Sequence, residues 1–149
     1  MDFSSINPLG VVLATLAAFA FNFVWFGPIG VFWTWWEAIG RSRDEQPGAG
    51  MNMGVVFGST TGSLVVEAIL LAAILGGLHE QASVLQGLAF GVAAGVGVAA
   101  MPSLGHRLFA GQGFKLWALE VGADIAVAAI MGTRSEEHTS ELQSLRHLV

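Results

Sequence analysis

Apolar residues run through this chain in long unbroken stretches. No charged residue occurs from Phe3 to Trp36, and none from Ala82 to Gly105. A helix needs about 20 residues of this kind to cross the apolar core of a bilayer. No soluble domain of this size needs two such runs. The pattern therefore predicts an all-α membrane protein. Its expected form is a four-helix transmembrane bundle with a short interfacial helix after the first span.

The predicted spans cover residues 7–26, 52–78, 82–104 and 114–132. Ser4, Ser5 or Asn7 can cap the first, and Pro8 suits its first turn. Gly27-Pro28 ends or kinks it, because proline has no N–H for the helix ladder. The segment after it, from Ile29 to Gly40, carries Phe32, Trp33, Trp35 and Trp36. Indoles favour the membrane interface, so this segment reads as a helix lying there. Trp25, Trp33, Trp35 and Trp36 are its expected interface anchors. The polar stretch 41–50 forms the first loop, and His79-Glu80-Gln81 forms a very short second turn. The third span is expected to bend near Pro102, and residues 105–113 form the third loop.

Charge sets the expected orientation. Before residue 134 the basic residues are Arg41, Arg43, Arg107 and Lys115. They fall around the first and third loops, which lie on one face of a four-span chain. The positive-inside rule places loops 41–50 and 105–113 in the cytoplasm and both termini outside. The N-terminus has no positive region of the signal-peptide kind, so the first apolar segment reads as a retained span. Net charge is −5, and no basic surface offers itself to nucleic acid. The absence of cysteine excludes disulfides and thiolate metal sites. The expected partner is the lipid bilayer. No cofactor and no metal site is expected, since His79 and His106 stand on opposite faces.

Three acids lie inside predicted spans. Burying a charge at the centre of a span costs roughly 2.5–3.5 kcal/mol. Such groups usually face the bundle interior and find a partner or a proton. Glu120 and Asp124 are spaced by four and share a helix face. Glu67 shares a face with Ser59 and Ser63, with Thr60 adjacent. Asn22 adds an amide in the first span. Converging faces would make Glu67, Glu120, Asp124, Ser63 and Asn22 a polar pocket for a cation or a proton. The same acids would serve equally as protonated groups holding helices together. With no basic residue deep in a span, direct neutralisation is not expected.

Small residues mark the expected packing seams. Gly87, Gly91, Gly95 and Ala99 recur every four residues in the third span, as Gly54, Gly58 and Gly62 do in the second. Such strips let backbones approach closely in lipid. They read as a contact within the bundle, strip on strip, or as the seam of a homo-oligomer. No phosphate loop, nucleophile–base pair or HExxH motif appears, so no enzyme activity is expected.

The start MDFSSINPLGVVLATLAAF, the turn Trp25-Phe26-Gly27-Pro28 and the segment LFAGQGFKLWALEVGADIAVAAIMG together resemble a known family. It is the family of small bacterial membrane proteins called domain of unknown function 1761. Its members carry Tyr where this chain has Phe26, a short basic loop before the last span, and a Met-Gly matching Met131-Gly132. The resemblance covers Met1 to Thr133. It implies four transmembrane helices, a multi-pass place in the bacterial inner membrane, and no established activity or catalytic residue.

Composition changes abruptly after Thr133. Arg134 to Ser144 reads RSEEHTSELQS, which resembles the in-frame translation of a short-read sequencing adapter. Residues 1–133 are therefore read as the four-span domain, truncated near Thr133, and 134–149 as an artefactual polar tail without functional weight. The functional expectation is an integral membrane protein with a structural or partner-binding role. The alternative is a small proton- or cation-coupled transporter using the intramembrane carboxylates.

Overall fold

The structure, a computed structural model, describes residues 6–78 and 83–146. Among these the chain is helical throughout, with turns between the helices. Helix α1 spans Pro8–Trp25. The Asn7 side chain caps it, accepting from the Leu9 amide at 3.0 Å, and Pro8 opens its first turn. Gly10, Ala14 and Ala18 form its buried stripe at a spacing of four, and Asn22 continues that stripe by one more step.

The turn after α1 explains its glycines. The Val31 amide donates to the Trp25 carbonyl at 2.7 Å, closing the chain back on the helix end. A Cβ on Gly27 would collide with the Phe23 carbonyl, and one on Gly30 with the carbonyls of Val24 and Trp25. Only glycine lets the backbone come this close. A short helix, α2 (Phe32–Ala38), follows as the pattern predicted.

Helix α3 spans Met53–Leu78. The Asn52 side chain caps it, accepting from the amides of Gly54 and Val55. The second turn, with His79, lies outside the described residues. Helix α4 (Val84–Ala94) begins with a capping box in which Ser83 and Gln86 exchange side-chain and backbone hydrogen bonds. It runs on through a π-helical segment, Gly95–Ala100, into α5 (Met101–Phe109). Helix α6 spans Gly113–Arg146.

One expectation about the third span needs correction. The helical rod runs on to Phe109, so His106 and Arg107 stand on helix rather than in a loop at 105–113. The turn itself is residues 110–112, and Gly111 within it (φ 70°) and Gly113 just after it (φ 77°) supply the left-handed backbone. The rod survives Pro102 because the preceding turn is widened. Proline clashes with the carbonyl one turn back and cannot donate, and a π turn just before it relieves both.

Helix α6 lies at the centre. It packs most extensively on α4 and its π extension, then on α1 and α3. One apolar core joins Ala14 and Ala18 of α1, Leu64, Ala68 and Leu71 of α3, and Val127, Ala128 and Met131 of α6. The strip Gly87/Gly91/Gly95 packs on α6 and not on α3. A Cβ on Gly91 would strike the Ala128 backbone, one on Gly95 would lie 2.8 Å from the Ile125 Cα, and one on Gly132 would strike Gly87. The strip is thus a seam within the chain. Gly58 and Gly62 have no neighbour within 4 Å, and every residue of α3 before Leu64 is exposed. The expected strip-on-strip contact is absent because α6 occupies the place beside α4.

Among the described residues, three helical rods are long and apolar enough to cross a membrane: Pro8–Trp25, Met53–Gly77 and Val84–Phe109. These three are compatible with a multi-pass membrane protein. Helix α6 differs by carrying Lys115, Glu120 and Asp124 in its first turns.

Candidate functional site

The polar residues of α6 gather at the end of the molecule that holds α2 and the α5–α6 turn. Glu120 continues the inward stripe that Leu116, Ala123, Val127 and Met131 define, at spacings of three and four. Its side chain is 21% exposed. Two residues from other elements reach it. The Trp35 indole donates to Glu120 Oε1 at 3.1 Å. Arg107, at the end of α5, brings Nη2 to 2.5 Å from Glu120 Oε2. That oxygen is buried, and the guanidinium lies off the line of a hydrogen bond, so their attraction is an ion pair.

Arg107 is itself held. Its Nη1 donates to Gln112 Oε1 at 3.0 Å, across the α5–α6 turn. The guanidinium thus spans the turn and returns to the next helix. Arg107 is not a base deep within a span: it reaches Glu120 from the last turn of α5. Arg107 was assigned to a loop by its polarity. A helical rod extended to Phe109 puts it one turn from the end, within reach of α6.

Glu67 and Asp124 form the second part of the cluster. Glu67 is half-buried on α3 between Leu64 and Leu71. It lies within electrostatic reach of Asp124, which in turn feels Glu120 and Arg107. Asp124 has one side crowded by protein and another open at the surface of the isolated chain. The acids thus lie on two helices, Glu67 on α3 and Glu120 and Asp124 on α6, with Arg107 of α5 beside Glu120. Ser63 does not join them: it is exposed, and its hydroxyl donates to the Thr60 carbonyl of its own helix at 2.8 Å. Asn22 sits on the inward stripe of α1, half-buried, and no side-chain hydrogen bond ties it to the acids. No group of three metal-ligating residues occurs among the described residues.

The tryptophans are tied to protein. Besides Trp35, Trp25 donates to the Leu119 carbonyl at 3.1 Å and Trp36 to the Ser42 carbonyl at 2.8 Å. Trp33 lies under the Arg43 guanidinium, 5.7 Å from ring centroid to charge. Trp117, which the sequence pattern did not single out, donates to the Ala100 carbonyl at 3.1 Å. Ser103 donates to the same carbonyl, so the end of the π segment is closed from two sides. Its signal was present in sequence only as one more aromatic at a span end.

The charges of the first loop are self-contained. Arg43 pairs with Glu37 at 2.7 Å and Arg41 with Glu45 at 2.8 Å. The Ser42 backbone amide donates to Glu45 Oε1 at 2.8 Å. That amide first, and Arg41 second, hold the Glu45 carboxyl below its ordinary pKa.

Comparison with known proteins gives one match. The family described as "Protein of unknown function (DUF1761)" matches residues 9–134. Neither a curated protein nor a solved structure matches the chain.

Proposed function

The chain belongs to the DUF1761 family, and from that premise we propose that it is a non-catalytic membrane component that crosses the bilayer four times. In this reading α1, α3, the α4–α5 rod and α6 are the four spans, and α2 lies at the interface. The role is structural or partner-binding. The bilayer is that of a bacterial inner membrane, with the loop 41–50 and the α5–α6 turn cytoplasmic and the termini outside.

One observation carries the fourth span. Helix α6 has charges, yet it is the helix the others pack around, and Glu120 points inward to Arg107 and Trp35. A paired acid facing protein can reside at membrane depth, whereas one facing lipid would oppose insertion. The stretch from Phe114 to Gly132 is about 30 Å long, enough to cross.

The chain has no cysteine, so single cysteines can be placed without background. Cysteines at Ser42 and Gln112 are expected to react only with reagent admitted to the cytoplasmic side, and one at Thr133 only with reagent outside. Labelling of Gln112 and Thr133 from one side would remove α6 from the spans.

A further inference from the structure

We propose that α2 and the loop behind it form a strap, clipped to the helix bundle by the Trp35 indole and able to swing as one body when that indole releases Glu120. The strap is internally braced. Phe32 stacks on Trp36 at 5.6 Å and meets Trp33 edge-on at 5.0 Å. Trp36 bonds to the Ser42 carbonyl, and Arg41 and Arg43 close on Glu45 and Glu37. These contacts all lie within residues 32–45, so the segment keeps its shape without the bundle.

Its attachments elsewhere are few. Helix α2 touches α6 through a narrow contact, far smaller than the seams α6 makes with α1, α3 and α4. Trp35 supplies the one side-chain hydrogen bond from α2 to another helix among the described residues. Its ring also meets Phe26 edge-on at 5.6 Å, next to the Gly27–Gly30 turn that joins strap to α1. On the other side, the strap leads into the first turns of α3, whose residues are all exposed before Leu64. A braced segment between a tight turn and an exposed stretch of helix, with one side-chain hydrogen bond to another helix, is built to move as a unit. Its movement would uncover Glu120 and leave the Arg107–Glu120 pair in place.

The test uses the full chain in lipid nanodiscs with two spin-label pairs. One pair, at Thr34 and Val92, reports the strap against the α4 rod. The other, at Val12 and Val92, reports the bundle alone. In the otherwise unchanged chain both pairs should give one narrow distance. Trp35→Phe keeps the ring and removes the donor. It should broaden the Thr34–Val92 distribution and leave Val12–Val92 narrow. Glu120→Ala, which removes the acceptor, should broaden the same pair. A Thr34–Val92 distance that stays narrow in Trp35→Phe overturns the proposal. So does a broadening that appears equally in both pairs, since the clip would then be part of the bundle's core.

Discussion

At the scale of single residues, Glu120 has the most at stake. It holds an indole from α2 and a guanidinium from α5, and the two partners differ in worth. Side-chain hydrogen bonds between helices in lipid average about 0.6 kcal/mol. Leaving a charged group without its counter-ion costs more, about 1–3 kcal/mol for an unsatisfied buried polar group. Trp35→Phe should therefore leave resistance to unfolding in graded SDS nearly unchanged, by about 0.6 kcal/mol. Glu120→Gln should lower it by about 1–3 kcal/mol, because Gln keeps the acceptor for Trp35 but not the charge for Arg107. Equal effects would mean that the ion pair adds nothing. Glu45 offers a separate check in the first loop. Its folded pKa lies below that of a free glutamate, about 4.3. Its stabilisation of the Ser42 turn is thus present above that value and lost as pH falls through the lower, folded one. A carboxyl-carbon NMR titration should place the Glu45 midpoint lower in the folded chain than in the unfolded one; an equal or higher folded midpoint counts against the Ser42 and Arg41 contacts.

Among elements, the α4–α6 seam decides the arrangement. Gly91 and Gly95 on one side and Ala128 and Gly132 on the other bring backbones together where any larger side chain would meet main-chain atoms. Main chain cannot rotate aside as a side chain can, so substitution there must separate the helices. Gly91→Leu is expected to destabilise the bundle by about 1–3 kcal/mol or more, as overpacking does. Gly58→Leu, on a face with no neighbour within 4 Å, should change unfolding by less than about 0.5 kcal/mol. The two glycine strips have the same spacing in sequence. The helix that lies between them is what makes one a seam and leaves the other bare.

For the molecule as a whole, the charges divide into a spent group and an open one. Glu120 is committed to Arg107 and Trp35, and Arg107 to Glu120 and Gln112. An ion-coupled role would thus fall on Glu67 and Asp124 alone. A structural or partner-binding protein should release no protons when candidate cations are added to it in detergent. Release that disappears in Glu67→Gln and Asp124→Asn would replace that reading with a coupled transporter. The two basic loops add to the same picture. Trp25 reaches Leu119 and Trp35 reaches Glu120, so the first loop and the α5–α6 turn share one end of the bundle. The opposite end holds Gly87 against Gly132.

Three apolar helical rods, the cap at Asn7, the break at Gly27-Pro28 and the short helix after it were legible in the residues themselves. Each depends on neighbours within a turn or two of helix, and hydropathy and proline act at that range. The family could be read for the same reason, since its Trp-Phe-Gly-Pro turn is a local device. Which helix lies beside which was not legible, because equal glycine spacing fits several partners. The pairing of Arg107 with Glu120 was also hidden. It needed a helix extended to Phe109, a turn at Gly111 to Gly113, and α6 at the centre, and contacts between distant segments fix all three. Sequence alone predicted spans around the acids; only the packing of α2, α5 and α6 decided that Glu120 meets Arg107 and Trp35.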